Sequence, residues 1–132
     1  MKNPNNPCLF CKTKKKDFIL ENDLAYATID TYPVSKFHSL IIPKRHIKNY
    51  FELSTKEILA CNRLIKILKK KIETKDKSVK GFNIGTNSGK VAGQSINHCH
   101  IHLIPRRKND VENPQGGVRS VISSKQHYVR KK

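Results

Sequence analysis

The chain has 132 residues, of which 36% are hydrophobic, and this is enough for one compact domain with a sizeable core. We expect no membrane-spanning helix, because no apolar run approaches the ~20 residues required, and no secretory signal, because the N-terminal Met1-Lys2-Asn3-Pro4 is polar. The formal charge of +17 favours an anionic partner such as a nucleotide, a polyphosphate or a nucleic acid.

Most of the positive residues are lysines, a bias that an AT-rich genome also produces. The runs Lys14-Lys15-Lys16 and Lys69-Lys70-Lys71 lack the interleaved aromatic residues that favour single-stranded nucleic acid. We therefore expect both runs to be solvated faces rather than nucleic-acid grooves. The chain has four cysteines with no pattern of a disulfide framework, which favours a reducing cytoplasm.

Three short strands are predicted in the N-terminal part of the chain. Phe18-Ile19-Leu20 and Ala25-Tyr26-Ala27-Thr28-Ile29 are separated by Glu21-Asn22-Asp23, which has turn chemistry. Ser39-Leu40-Ile41-Ile42 is the third strand, and Pro43 ends it.

One long helix is predicted from about Thr55 to Glu73. Ser54 and Glu57 have the spacing of a capping box at its start. Apolar residues then recur at helical spacing, namely Ile58, Cys61, Leu64, Ile65, Leu68 and Ile72.

Two further strands are predicted, Phe82-Asn83-Ile84 and Asn97 to Ile104. The loop between them, Thr86 to Ser95, has two glycines and small polar residues, so its backbone N–H groups could surround an anion. The tail from Lys108 is polar, and Val118 to Ile122 is a candidate for a short final strand. The economical interpretation is one α+β domain over residues 1–132, with its core at about 8–105 and a polar tail at 108–132.

Histidines occupy every second position in His98-Cys99-His100-Ile101-His102. In a strand these three imidazoles would share one face, ~6.6 Å apart, while Cys99, Ile101 and Leu103 would face the core. Three titratable rings on one face indicate an active site rather than a solvated or metal-chelating histidine cluster.

The segment His98-Cys99-His100-Ile101-His102-Leu103-Ile104 resembles the pattern His-φ-His-φ-His-φ-φ of the histidine triad (HIT) family, where φ is apolar. Phe37 to His46 is similar to the strand that the family carries upstream of the triad. Asn87 and Gly93-Gln94-Ser95 lie at the family's spacing before the triad. Two positions depart from the pattern: Cys99 fills the first φ position, and Phe37 stands where many members have a small residue.

The resemblance implies a HIT-like fold, with an antiparallel sheet of about five strands and one long helix, and it implies roles for the matching residues. The middle histidine, His100, corresponds to the family's nucleophile, and a neutral imidazole is nucleophilic near pH 7. His102 and His38 would contact the phosphate oxygens, and Asp30 would hold the ribose. The remaining substrate-binding candidates on the loop are Asn87, Gln94 and Ser95.

The spacing of Cys8 and Cys11 is that of a zinc knuckle, which supplies two of the four ligands that a structural zinc needs. Some members of the family, and the related hexose-phosphate uridylyltransferases, complete such a site with two histidines. The matching residues are His46 and His98, so the resemblance implies one structural Zn²⁺ per chain. A redox pair and two unligated thiols are the alternatives.

The resulting expectation is a nucleotide hydrolase that forms a covalent nucleotidyl-His100. Substrates of the family include dinucleoside polyphosphates and nucleoside phosphoramidates, with adenine as the commonest base, and the family is typically homodimeric. The tail from Asp110 to Arg119 resembles that of bacterial members described as diadenosine-polyphosphate hydrolases. The alternatives are a DNA-end or RNA-cap processing enzyme, a nucleotide-binding regulatory protein and a zinc-knuckle nucleic-acid binder.

Overall fold

The structure, a computed structural model, describes residues 8–131, so the N-terminal Met1-Lys2-Asn3-Pro4 lies outside the described residues. Five strands form one antiparallel sheet in the order β1-β2-β3-β5-β4. The strands are β1 (Leu20–Glu21), β2 (Ala25–Ile29), β3 (Ser39–Pro43), β4 (Val79–Gly85) and β5 (Ile101–Arg107), and the one long helix is α1 (Thr55–Lys75). The expected α+β class with about five strands and one long helix is confirmed.

Helix α1 begins at the predicted capping box. Ser54 Oγ accepts from the backbone N–H of Glu57 at 3.2 Å, and Glu57 Oε1 accepts from the backbone N–H of Ser54 at 2.9 Å. The helix ends two residues beyond the predicted Glu73, at Lys75. No helix among the described residues has the length and apolarity needed to cross a membrane.

The two faces of the sheet have different partners. Helix α1 buries one face, where Ile101 and Leu103 of β5 pack in the main core. The opposite face carries a smaller cluster of Phe10, Tyr26, Leu40 and Ile42. Because side chains alternate along a strand, His102 lies on this second face, and it is paired in register with Leu40.

The predicted fifth strand differs from the observed one at both ends. Strand β5 begins at Ile101 rather than Asn97, so His98 and His100 precede the strand. Its neighbour β3 ends at Pro43, whose carbonyl contacts the His98 ring, while the N–H of Cys99 donates to the carbonyl of Ile47. Main-chain pairing with β3 therefore begins at Ile101 and extends to Leu103, whereas pairing with β4 runs from His102 to Arg107.

Other boundaries also shift. The first strand is Leu20–Glu21 rather than Phe18 to Leu20, and the fourth strand extends over Val79–Gly85. The predicted final strand from Val118 to Ile122 is wrong, because Gly117–Val121 forms a 3-10 helix. Gly116 and Gly117 have φ of 88° and 42°, and this left-handed backbone turns the chain into local hydrogen bonds instead of a strand.

Phe37, one of the two departures from the family pattern, has a φ of 72°. This left-handed conformation is unfavourable for a bulky residue, which explains why a small residue suits the position. The Phe37 ring packs partly buried against the main core, and this contact accompanies the strained turn immediately before His38.

Candidate active site and metal-ligand cluster

The backbone holds His100 in one tautomer. Its Nδ1 lies 2.8 Å from the carbonyl oxygen of His98, so Nδ1 carries the proton and donates it. The lone pair is therefore on Nε2. The carbonyl of His100 itself accepts from Thr86 Oγ1 at 2.7 Å, and the ring of Phe10 lies 4.9 Å from the His100 ring, centroid to centroid. These three contacts fix the main chain and the imidazole of the central histidine.

His38 and His102, which we call the histidine pair, lie against each other beside Asp30. His38 Nδ1 accepts from the backbone N–H of Val34 at 3.0 Å, so the His38 proton is on Nε2. His38 Nε2 lies 2.9 Å from His102 Nδ1 and 3.3 Å from Asp30 Oδ2. The His38 Nε2–H therefore donates a hydrogen bond to His102 Nδ1, and the proton of the neutral His102 ring is on Nε2. The arrangement makes His102 a hydrogen-bond donor through Nε2.

Burial keeps the histidine pair neutral. Desolvation lowers the pKa of His38 and of His102 below the usual value, and the neighbouring histidines lower the pKa of His102 further. The carboxylate of Asp30 opposes this by raising both pKa values. Desolvation has the larger effect in each case, so both rings are uncharged at neutral pH.

Asp30 is held in place at the end of β2. Its backbone N–H donates to the carbonyl of His38 at 2.9 Å, and its Oδ1 accepts from the backbone N–H of Tyr32 at 2.8 Å. The side chain is 15% exposed, and its Oδ2 points at the histidine pair. Asp30 is therefore fixed by main-chain contacts with its carboxylate directed at the two rings.

Gln94 organises the loop before the histidines. Its Oε1 accepts from the backbone N–H of Gly89 at 2.9 Å, and its Nε2 donates to the carbonyls of Lys48 and Ile96. Asn87 Nδ2 lies 4.0 Å from the position that a Cβ on Gly93 would take, and Gly93 has a φ of 98°. Ser95 is exposed at the end of the loop. The Gln94 side chain thus serves the loop backbone, whereas Asn87 and Ser95 are its small polar surface.

A second group of side chains, the thiol–imidazole cluster, consists of Cys8, Cys11, His46 and His98. Cys8 Sγ lies 3.3 Å from His98 Nδ1, Cys11 Sγ lies 3.2 Å from His46 Nδ1, and the two Nδ1 atoms are 3.1 Å apart. A tetrahedral zinc would hold a sulfur and a nitrogen roughly 3.5 Å apart and two nitrogens roughly 3.3 Å apart. The four donor atoms, all within 4.8 Å of one another, fit a zinc ion.

Tautomers separate this cluster from the group formed by Asp30 and the histidine pair. His98 Nε2 donates to the carbonyl of Pro43 at 2.8 Å, which leaves the Nδ1 lone pair facing the thiols. His38 presents a protonated Nε2 to its neighbours, and a protonated nitrogen is not a metal ligand. The first group is therefore arranged for a metal, and the second for hydrogen bonding.

The first turn of helix α1 holds Arg45, the residue that precedes His46 of the thiol–imidazole cluster. Arg45 donates to Glu57 from Nε at 3.0 Å and from Nη2 at 2.7 Å. This bidentate contact and the capping bonds lower the pKa of the buried Glu57 carboxyl to about 2. Arg45 precedes His46, so the helix cap fixes the chain where it enters the thiol–imidazole cluster.

A cleft of about 610 Å³ opens on the sheet face that carries His102. Its apolar lining is Leu9, Phe10, Ile19, Ile29 and Leu40. Leu40 is the register neighbour of His102, so the cleft adjoins the histidines. Leu9, Ile19 and Ile29 are partly exposed apolar side chains that a ligand could cover.

Comparison with known proteins identifies the family. The HIT domain family matches residues 12–109 of the chain. An uncharacterised HIT-like protein of Methanocaldococcus jannaschii is 38% identical over 110 residues, which are 80% of this chain and 83% of that protein. The chain belongs to the HIT domain family.

Two further relatives have informative names. The adenosine 5′-monophosphoramidase hnt1 of Schizosaccharomyces pombe is 36% identical over 103 residues, covering 75% of this HIT protein and 74% of the relative. A zinc-bound histidine triad family protein from Mycobacterium smegmatis has a crystal structure that matches this fold with a TM-score of 0.70 at 26% identity. That match covers 79% of this chain and 78% of the other.

The HIT fold brings most of the residues singled out in the sequence into two neighbouring groups. Asp30, His38 and His102 form one, and the four cluster residues form the other, while the His100 ring lies 5.3 Å from the His102 ring, centroid to centroid. No sequence pattern marks Val34 and Thr86, because each contributes a single hydrogen bond: the Val34 N–H donates to His38 Nδ1, and Thr86 Oγ1 donates to the His100 carbonyl. Phe10 was also missed, although its position inside the Cys-x-x-Cys motif could have marked it as close to His98.

Proposed function

We propose that this HIT protein is a nucleotide hydrolase that cleaves at the α-phosphate of nucleoside phosphoramidates or dinucleoside polyphosphates through a covalent nucleotidyl-His100. The observation that carries the proposal is the hydrogen bond from His100 Nδ1 to the His98 carbonyl, which leaves the Nε2 lone pair available for attack. Relatives named adenosine 5′-monophosphoramidase, one 36% and another 33% identical, support a nucleoside phosphoramidate as substrate.

In the first step His100 Nε2 forms a bond to the α-phosphorus. The bond from that phosphorus to the leaving nitrogen or oxygen breaks, and its electron pair stays with the leaving group. A phosphate group departs as an anion, whereas an amine takes a proton from water. The His100 ring becomes cationic, and its Nδ1–H bond to the His98 carbonyl stabilises this charge.

His102 stabilises the charge that spreads over the phosphoryl oxygens. Its Nε2–H donates to one of them, in the orientation that His38 imposes through the 2.9 Å contact at His102 Nδ1. In this proposal His38 acts mainly by holding His102, since the one N–H of its ring is directed at His102 and Asp30. Asn87 and Ser95, with the loop amides, complete the phosphate surroundings.

The nucleoside occupies the cleft beside His102. A base suits its apolar lining, which includes Phe10, Ile19 and Ile29. Asp30 follows Ile29 of that lining in the sequence and contacts the histidine pair, and its carboxylate can accept from ribose hydroxyls. By analogy with the family, adenine is the expected base.

In the second step water releases the product. The water oxygen bonds to phosphorus, the bond from phosphorus to His100 Nε2 breaks, and the water proton passes to solvent. The product is a nucleoside monophosphate, and His100 returns to its neutral form.

The thiol–imidazole cluster would hold a structural Zn²⁺ with Cys8, Cys11, His46 and His98 as its four ligands. Such an ion supplies folding free energy by joining the N-terminal segment to the segment that carries His100. All four ligands come from the chain, so the ion has no reactive position in this proposal. The zinc-bound relative from Mycobacterium smegmatis supports zinc as the metal.

The substitution His100→Asn tests the covalent step. We expect it to lower hydrolysis of adenosine 5′-phosphoramidate by several orders of magnitude without unfolding the chain, while the matched change His127→Asn on the exposed tail leaves the rate unchanged. Mass spectrometry of rapidly quenched wild-type reactions should detect an adenylyl group on His100. Inversion at phosphorus in oxygen-isotope experiments would rule out the two-step reaction.

Two features of the whole protein belong to the same proposal. A homodimer is supported by β4, which lies at the end of the strand order and carries the half-exposed Ile84. A reducing cytoplasm is supported by the small number of cysteines, four, whose spacing is not that of a disulfide framework. Sedimentation at micromolar concentration tests the first, and localisation of a tagged chain tests the second.

A further inference from the structure

We propose that Thr86 is a positioning residue for the covalent step: its hydroxyl holds the main-chain carbonyl of His100 and thereby keeps His100 Nε2 directed at the α-phosphorus. This role rests on the proposed function, because it takes His100 as the nucleophile. It assigns to Thr86 an effect on the rate of the chemical step and none on the affinity for the nucleotide.

Neither ladder of the sheet reaches His100 in the described part of the chain. Strand β5 pairs with β3 from Ile101 and with β4 from His102, whose partner is Gly85. Thr86 follows Gly85 directly, and its Oγ1 donates to the carbonyl of His100 at 2.7 Å. A side-chain hydroxyl therefore extends the link between β4 and β5 beyond the last pair of their register.

This hydrogen bond bears on the ring because the carbonyl and the imidazole of His100 are attached to the same Cα. The imidazole is held through Nδ1, which donates to the carbonyl of His98, and the preceding Cys99 donates its N–H to the carbonyl of Ile47 at 2.8 Å. The Thr86 hydroxyl holds the main chain on the other side of the His100 Cα. An attacking nitrogen must lie about 3–3.5 Å from phosphorus, and a displacement of about 1 Å costs up to about 100-fold in rate.

Thr86 also belongs to the loop that the proposed function places around the phosphate. Asn87, the next residue, is one of the proposed phosphate contacts, so a single hydrogen bond joins this loop to the nucleophile. The carbonyl of His100 can only accept, so the side chain at position 86 must supply a donor. Thr86 is partly buried and His100 is 6% exposed, so removal of the hydroxyl leaves that carbonyl without this partner in a site with little access to water.

The change Thr86→Val tests this role, because it removes the hydroxyl and nearly keeps the shape of the side chain. We expect kcat for hydrolysis of adenosine 5′-phosphoramidate, and the rate of adenylyl-His100 formation in rapidly quenched reactions, to fall about tenfold. The Kd of adenosine 5′-monophosphate, measured by calorimetry, should stay within about twofold of the wild-type value. Thr86→Ser keeps the donor and should retain most of kcat. The matched control Thr74→Val, at an exposed position of helix α1, should leave kcat unchanged.

Equal losses of kcat in Thr86→Ser and Thr86→Val would overturn the positioning role, as would a loss of affinity for the monophosphate as large as the loss of kcat. Thr86→Ala, which also lacks the hydroxyl, provides the same comparison if Thr86→Val does not fold. If the wild-type chain forms adenylyl-His100 and the variants without the hydroxyl form it equally fast, the role of Thr86 alone fails. If the wild-type chain forms no adenylyl-His100, the proposed function fails with it.

Discussion

Phe10 offers a direct test of how the thiol–imidazole cluster is joined to His100, the proposed nucleophile. It lies inside the Cys-x-x-Cys segment, is 7% exposed, and its ring is 5.9 Å from the His98 ring and 4.9 Å from the His100 ring. Its carbonyl accepts from Tyr26 Oη at 2.5 Å, and burial raises the pKa of that phenol to about 12. The side chain thus fills the space between a proposed metal ligand and the proposed nucleophile.

The cost of removing the ring follows from its surroundings. Phe10→Ala leaves a cavity between two histidines and the cluster of Tyr26, Leu40 and Ile42, so we expect the free energy of unfolding to fall by about 4 kcal/mol. In a domain of this size the corresponding change in Tm is about 15 °C. Phe10→Leu keeps most of the volume and loses the edge contacts with the imidazoles, for a cost of about 2 kcal/mol.

The two variants should also differ in catalysis. In Phe10→Ala the His100 ring keeps its bond to the His98 carbonyl but loses its packing partner, so we expect kcat to fall about tenfold at a temperature where the variant is folded. Phe10→Leu should retain most of kcat. Urea unfolding and steady-state hydrolysis of adenosine 5′-phosphoramidate measure both effects. A Phe10→Ala variant with wild-type kcat, or with a loss of stability below about 1 kcal/mol, would refute the reasoning.

Three other outcomes are expected. The pKa of each member of the histidine pair is lowered, so kcat/KM should remain constant down to about pH 6.5 and fall only below it. Asp30 raises both pKa values, so Asp30→Asn should shift this fall in kcat/KM to lower pH in a pH–rate profile. Glu57→Gln should lower the free energy of unfolding at pH 7 by about 2 kcal/mol, because it weakens the contact with Arg45. The pKa of Glu57 is depressed in the folded chain, so the stabilisation by the carboxylate is complete above about pH 4.5 and is lost as the pH falls to about 2. The difference in stability between the variant and the wild type should therefore disappear over that range. In a melting experiment, zinc at a hundred times its Kd should raise the free energy of unfolding of the metal-free chain by about 2.7 kcal/mol. Cys8→Ser should remove this stabilisation by zinc, and the control variant Cys61→Ala should retain it.

The elements with strong local signals were predictable. The capping box at Ser54 and the apolar spacing that follows define helix α1, because a helix of this length is fixed by its own side-chain pattern. Strands β2 and β3 were also recognised, since each is a short run rich in apolar residues with turn residues beside it. Strand β4 was recognised only in part, because its register shifts between Val79 and Gly81 and a lysine and a glycine interrupt the apolar pattern.

The candidate site was predictable in its membership but not in its arrangement. Alternating histidines suggest one continuous strand, yet main-chain pairing with β3 begins only at Ile101, and the reason is a long-range contact between His98 and Pro43. The same limit applies to Thr86 and Val34. Each contributes one hydrogen bond between a side chain and the backbone, and no periodicity or spacing in the sequence encodes such a contact.

His98 and His100 are two residues apart and hold opposite tautomers, and this difference assigns their roles. The carbonyl of Pro43 accepts a hydrogen bond from the Nε2–H of His98, so the unprotonated Nδ1 of His98 faces Cys8 and Cys11. The carbonyl of His98 accepts a hydrogen bond from the Nδ1–H of His100, so the lone pair of His100 is on Nε2, the nitrogen that attacks phosphorus in the proposed reaction. His98 is therefore both a ligand candidate and the acceptor that selects the tautomer of the proposed nucleophile. A change that moves the backbone at His98 should therefore act on His100 through that carbonyl, besides any effect that reaches the His100 ring through Phe10.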